Sequence, residues 1–96
     1  MPHYVTLVRY THQGISNIKD SPARFDAAKK ATEAEGGKVH AWYLTMGQYD
    51  AVVISEAPDD DTVAKLALAA AGRGNVRTET VRAFDENEAK RLAAEL

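Results

Sequence analysis

No cysteine stands among the 96 residues, which excludes disulfides, thiolate metal sites, iron–sulfur clusters and a cysteine nucleophile. Apolar runs last only a few residues, far short of the roughly 20 that cross a bilayer, so no membrane association is expected. No basic patch stands out either. The formal charge is −2, with acids and bases interleaved, and the densest basic stretch, "GRGNVRTETVR", is interrupted by Glu79. Nucleic-acid binding draws much of its affinity from phosphate neutralisation, so no nucleic-acid partner is expected. The opening "MPHYVTLVRY" enters a strand at once, without the basic and apolar regions of a secretory signal, and the cytoplasm is the expected compartment. A chain of this size makes one domain, residues 1–96, with one modest core, and it gains from oligomerising because small folds bury a smaller fraction of their surface.

What is present alternates between two periods. "YVTLVRY" is rich in β-branched and aromatic residues and reads as a first strand. Residues 22–35 read as a helix with Phe25, Ala28 and Ala31 or Thr32 on one face, Pro22 at its first position and Asp20 or Ser21 as cap. Gly36 and Gly37 stop it. "KVHAWYLT" and "YDAVVISE" read as a hairpin turned by "MGQ". Pro58 and three aspartates open a second helix, whose stripe is Val63, Leu66, Ala67 and Ala70. "NVRTETVRAF" is a fourth strand. Asp85 with Glu88 forms a capping-box start for a last helix, residues 85–96, with the stripe Ala89, Leu92, Ala93 and Leu96.

The order β-α-β-β-α-β plus a terminal helix is the ferredoxin-like α+β plan, a four-stranded antiparallel sheet covered on one face by two helices. A sheet with one wet face alternates apolar with polar residues. Here both faces are apolar: Val52 and Ile54 oppose Ala51 and Val53, and Tyr4, Val8 and Tyr10 oppose Val5 and Leu7. The second face is therefore expected to be covered, either by another copy in a homodimeric α+β barrel or by the terminal helix folding back. The homodimer, or a higher assembly, is preferred because a short Ala-rich helix offers little area to bury.

Several stretches carry a resemblance. "THQGISNIKDSPAR", "GQYD" at residues 47–50, and "EAPDD" with "GNVRTETVRAF" are similar to the GYD domain family, over nearly the whole chain and in order. The resemblance implies a ferredoxin-like fold related to the dimeric α+β barrel proteins. That wider group includes cofactor-free monooxygenases, haem-active proteins, small-molecule isomerases and binding modules, so fold-level likeness selects no one chemistry.

Candidate site residues follow from type and place. Tyr49 and Asp50, read as the start of the third strand, offer a phenol and a carboxylate on opposite faces; equally, Asp50 can serve the hairpin backbone. His12 and His40 are candidate acid–base groups. His40, read on the same strand face as Trp42, could meet a planar ligand there. His3 and His12 lie at opposite ends of a strand roughly 30 Å long and cannot share an ion; no metal site and no cofactor are expected. Arg82, with Arg9 and Arg77, could bind an anion in a fork. In the passage after the first strand, Thr11, His12, Gln13 and Asn17 are candidate ligand-binding groups at a pocket mouth, while Ile15 and Ile18 are expected to plug the gap between helix and sheet. The expected function is a homo-oligomeric small-molecule-binding or scaffold protein. The alternative is a small cofactor-independent enzyme, monooxygenase- or isomerase-like, with its pocket between sheet and helices.

Overall fold

The computed structural model describes residues 1–96. Strand β1 (His3–Tyr10) leads into a short helix α1 (His12–Ser16) and a 3-10 turn (Ile18–Asp20), and then into α2 (Ser21–Ala34). Strands β2 (Lys38–Leu44) and β3 (Ala51–Glu56) form the hairpin, followed by α3 (Asp60–Gly72), β4 (Val76–Ala83) and α4 (Glu86–Ala94). The sheet order is β2-β3-β1-β4, with every pairing antiparallel. This is the ferredoxin-like topology expected from the order of elements, with β1 central.

Local chemistry sets the ends of the elements. Gly36 takes φ +85° after α2, a conformation that costs glycine no side-chain clash. Asp59 caps α3: its Oδ1 accepts from Thr62 N at 2.9 Å and from Thr62 Oγ1 at 2.7 Å. The Thr62 side chain, then its backbone N–H, holds the Asp59 carboxyl below its ordinary value. Asp85 and Glu88 form the full reciprocal capping box at the start of α4.

Helices α2 and α3 cover one face of the sheet, against Tyr4, Thr6 and Val8 of β1, Ala51 and Val53 of β3, and Thr78 and Thr80 of β4. Full burial is confined to a few residues, chiefly Tyr4, Val8, Ala51 and Ala57. The opposite face carries Val5, Leu7, Val52, Ile54 and Val81, and α4 does not fold back over it. Leu92 and Leu96 of the α4 stripe are exposed, and so is Val81 on the open face. The terminal-helix cover considered from sequence is therefore absent.

Three sequence expectations are corrected here. The third strand begins at Ala51, so Tyr49 and Asp50 belong to the connection before it. The passage after β1 folds into α1 and the 3-10 turn, and its isoleucines do not plug the helix–sheet gap: Ile15 is 51% exposed and Ile18 41%. Third, β2 carries a bulge between Val39 and Ala41, where the pairing with β3 slips by one residue. The extra residue breaks the alternation, so Trp42 faces the helices with Val39, whereas His40 meets Glu56 on the open face.

Candidate functional site

The helix-covered side is incompletely filled. Between α2, α3 and the sheet lies a cavity of about 210 Å³. Its cause is visible in the side chains. Ala67 and Ala70 on α3 face Thr6, Thr78 and Thr80 on the sheet, and small residues on both sides leave volume that a Leu-rich interface would occupy. Thr6 Oγ1 and Thr80 Oγ1 satisfy each other at 3.1 Å, which leaves a mostly apolar lining. At one end Trp42 packs on Phe25, with ring centroids 5.1 Å apart, and Tyr10 Oη bonds Ser21 Oγ at 3.0 Å. A second hollow opens beside that end and shares Tyr10, Phe25 and Trp42, with Ile18 and Leu44 at its edge. Apolar walls with a few hydroxyls and an aromatic entrance are the ordinary make-up of a small-molecule site. A cavity of about 150 Å³ admits benzene, so this one suits a ligand of about ten non-hydrogen atoms.

The sequence-derived candidates are dispersed. Trp42 alone among them lines the cavity. Thr11 and Gln13 form a latch with the loop after α3, and Asn17 braces α1 behind them. Thr11 N donates to Asn75 O at 3.1 Å, and Thr11 Oγ1 donates to Gly74 O at 2.5 Å while accepting from Gly14 N. Gln13 Nε2 donates to Arg73 O and Asn75 Oδ1, both at 3.1 Å, and Asn17 Nδ2 to Gln13 O. Arg24 closes the latch from α2, bonding Asn17 O at 2.9 Å and Gly14 O at 3.3 Å. His12 is exposed beside it.

Asp50 serves backbone. Its Oδ2 accepts from Tyr10 N at 2.8 Å, and its own N–H donates to Val8 O at 2.8 Å. Tyr49 turns the other way, donating to Glu79 Oε2 at 3.0 Å with the Arg9 guanidinium 4.8 Å above its ring. The Glu79 carboxylate, which takes that phenolic proton in hydrogen bonding, raises the Tyr49 pKa. Arg82 lies at the far end of the sheet, its guanidinium over Phe84 at 4.5 Å and Tyr4 at 5.8 Å. His40 is also remote from the cavity, on the open face with His3.

Sequence reasoning passed over Tyr10, Ser21, Phe25, Thr6 and Thr80 as cavity groups. The available signal was the run of hydroxyl side chains, Thr6, Ser55, Thr78 and Thr80, at strand positions that face the helices, where a closed core would carry larger apolar residues.

With this fold and cavity in hand, the comparisons define the class. The family model for the GYD domain matches residues 4–93, and the chain belongs to the GYD domain family. A Thermus thermophilus relative, the glutamine synthetase and cystathionine beta-lyase binding protein, is 36% identical over 88% of this chain and 90% of its own. Among solved structures, a feast or famine regulatory protein from Mycobacterium tuberculosis, complexed with L-methionine, superposes with a TM-score of 0.66 at 16% identity. It is matched over 88% of this chain and 51% of its own. A leucine response regulatory protein from the same organism gives 0.64 at 18% identity, with 88% and 51% covered. This chain thus spans about half the length of those two regulators, and the likeness shows a shared α+β fold.

Proposed function

We propose that this chain is a homo-oligomeric binding protein in which two copies stack their open sheet faces as a dimeric α+β barrel. The observation that carries this reading is the uncovered apolar face. Val5, Leu7, Val52, Ile54 and Val81 form one patch across three strands, and neither α2, α3 nor α4 lies over it. Contiguous apolar patches of that kind mark interaction surfaces. A second copy suits it because both charge signs share the face: Arg9 and Arg77 accompany Glu56 and Glu79, so a two-fold axis can set opposite charges against each other.

In this reading the cavity under the helices takes a small, largely apolar ligand, and the outward helical surfaces remain free for a larger protein. The name of the Thermus relative supports protein partners, and the methionine complex of the mycobacterial regulator supports small ligands on this fold. The proposed setting is the cytoplasm; no helix is long and apolar enough to cross a membrane. A small cofactor-independent enzyme is the weaker alternative, because His12 and His40 stand apart from the cavity, while the adjacent Tyr49 and Asp50 turn opposite ways and are engaged by Glu79 and by the Tyr10 backbone.

Light scattering coupled to gel filtration tests the proposal. The expected mass is twice the 10.5 kDa of the chain, or a multiple of that dimer. Ile54→Glu, which places a charge in the middle of the patch, is expected to give a folded monomer. A wild-type protein that elutes as a monomer overturns the reading.

A further inference from the structure

At one end of the open face, away from the helix-side cavity, four polar side chains from four elements converge. His3 begins β1, His40 occupies the β2 bulge, Glu56 ends β3, and Glu88 sits in the first turn of α4. His3 Nε2 is 2.9 Å from Glu56 Oε1, and His40 Nε2 is 3.3 Å from Glu56 Oε2. The two imidazoles stack with centroids 5.9 Å apart. One ligand atom from each of His3, His40 and Glu56 lies within 4.8 Å of the others.

We infer that His3, His40 and Glu56 form a site for a divalent transition-metal ion of the zinc type, with Glu88 as its outer support. The donor set is two neutral imidazoles and one carboxylate, a combination used by three-ligand zinc sites that leave a fourth position open. Ligands at about 2.0–2.2 Å from a tetrahedral ion stand about 3.3–3.6 Å from one another. The two observed nitrogen–oxygen separations run to different oxygens of Glu56, and with all three ligand atoms within 4.8 Å of one another, rotation of the side chains is what would draw them onto one ion. Only the bulge makes this possible, because an unbroken β2 would send His40 to the helix side with Trp42.

Glu88 gives the second argument. Its Oε1 lies 3.2 Å from His3 Nδ1, a nitrogen buried from solvent that finds no well-aligned hydrogen bond. With an ion seated between Nε2 and Glu56, the His3 proton resides on Nδ1, where the Glu88 carboxylate stands ready to accept it, as metal-bound histidines are commonly supported. The same Glu88 oxygen accepts from Asp85 N at 3.0 Å, so the capping box fixes the carboxylate in place. The cluster is separate from the helix-side cavity and so does not depend on ligand binding there, but it lies at one end of the open face proposed to meet a second copy, beside Val5 and Ile54. Such a site replaces the expectation of a metal-free protein, which considered each histidine by its distance along the chain.

The test is a titration of chelator-treated protein with Co²⁺, followed by displacement with Zn²⁺, reading the visible absorption of low-coordinate cobalt. One equivalent per chain is expected, with the band abolished by Zn²⁺. His40→Ala, at an exposed position, is expected to weaken binding at least tenfold with the circular dichroism unchanged. Glu88→Gln keeps a residue that serves a capping box and is expected to weaken binding by about 10–100-fold through its effect on His3. Absence of saturable one-to-one binding overturns the inference. So does binding that His40→Ala leaves unchanged, since the ion would then be held elsewhere, for example by His3 and the amino terminus.

Discussion

Asp50 and Tyr10 are joined across the end of the sheet: the Asp50 carboxylate, one residue before its own strand, accepts the backbone N–H of Tyr10 at 2.8 Å. Because Asp50 N also donates to Val8 O, this one residue extends the β1–β3 ladder by both its backbone and its side chain. The Asp of the "GQYD" stretch thereby has a structural task that needs no chemistry.

That task predicts the behaviour of Asp50→Ala. Removing a charged acceptor leaves the half-buried Tyr10 N–H without its partner, at a cost of about 1–3 kcal/mol. Urea unfolding monitored by circular dichroism is expected to show a lower midpoint with an unchanged slope. Asp50→Asn retains an acceptor oxygen and is expected to fall between the two. An Asp50→Ala protein as stable as the wild type would free the carboxylate for another role.

Gly14 predicts a larger effect. A Cβ at this position would sit 2.0 Å from Asn75 O, the same carbonyl that accepts Thr11 N. Neither wall is a flexible side chain, so α1 would have to lift away from the loop after α3 and give up the Thr11–Gly74 and Gln13–Arg73 bonds with it. Gly14→Ala is expected to destabilise by about 1–3 kcal/mol or more, read as a drop in Tm. Ala at Gly72, where nothing stands within 4 Å, is the control and is expected to leave Tm nearly unchanged.

These two positions show what the sequence discloses and what it withholds. Strand alternation is a local property, so the two faces of β1 and β3, and with them the bare apolar face, were legible before the fold was known. The capping box of Asp85 and Glu88 was equally legible, because its partners lie three residues apart. The misplacement of His40 has one cause: a bulge adds a residue without any mark in "KVHAWYLT", and every side chain before it changes face relative to those after it. The five-residue α1 is too short to show a helical period and has a glycine in its middle. The latch between Thr11 and Gly74, and the cluster of His3, His40, Glu56 and Glu88, join residues far apart in sequence, and no spacing rule brings them together.

Tyr4 supplies a pH-dependent prediction. The phenol is buried to 3% exposure and donates to Asp60 Oδ1 at 2.5 Å. Burial first, then the hydrogen bond to Asp60 and that carboxylate's charge, push its pKa up to about 12 from 10.0. In the unfolded chain the phenol ionises near 10, so between pH 10 and 12 the unfolded state binds fewer protons than the folded one. The contribution of Tyr4 is therefore complete below pH 10 and is lost as pH rises towards 12. Urea midpoints measured across that window should fall more steeply for the wild type than for Tyr4→Phe, which cannot ionise. Equal slopes would mean that Tyr4 titrates normally.

Trp42 makes the helix-side cavity measurable. It is the single tryptophan of the chain and lines the cavity against Phe25, so its fluorescence reports on whatever enters. A small aromatic probe such as indole or a substituted phenol is expected to shift Trp42 emission saturably, since the walls are largely apolar and part of the volume is unfilled. Ala67→Leu projects three further carbons from α3 into that space. If they fit, the variant gains about 0.8 kcal/mol for each methylene buried there, its Tm rises, and the probe no longer shifts Trp42. A variant that loses stability and still responds to the probe would mean that α3 moves outward instead of the cavity filling, and that the space is a seam between mobile helices rather than a binding site.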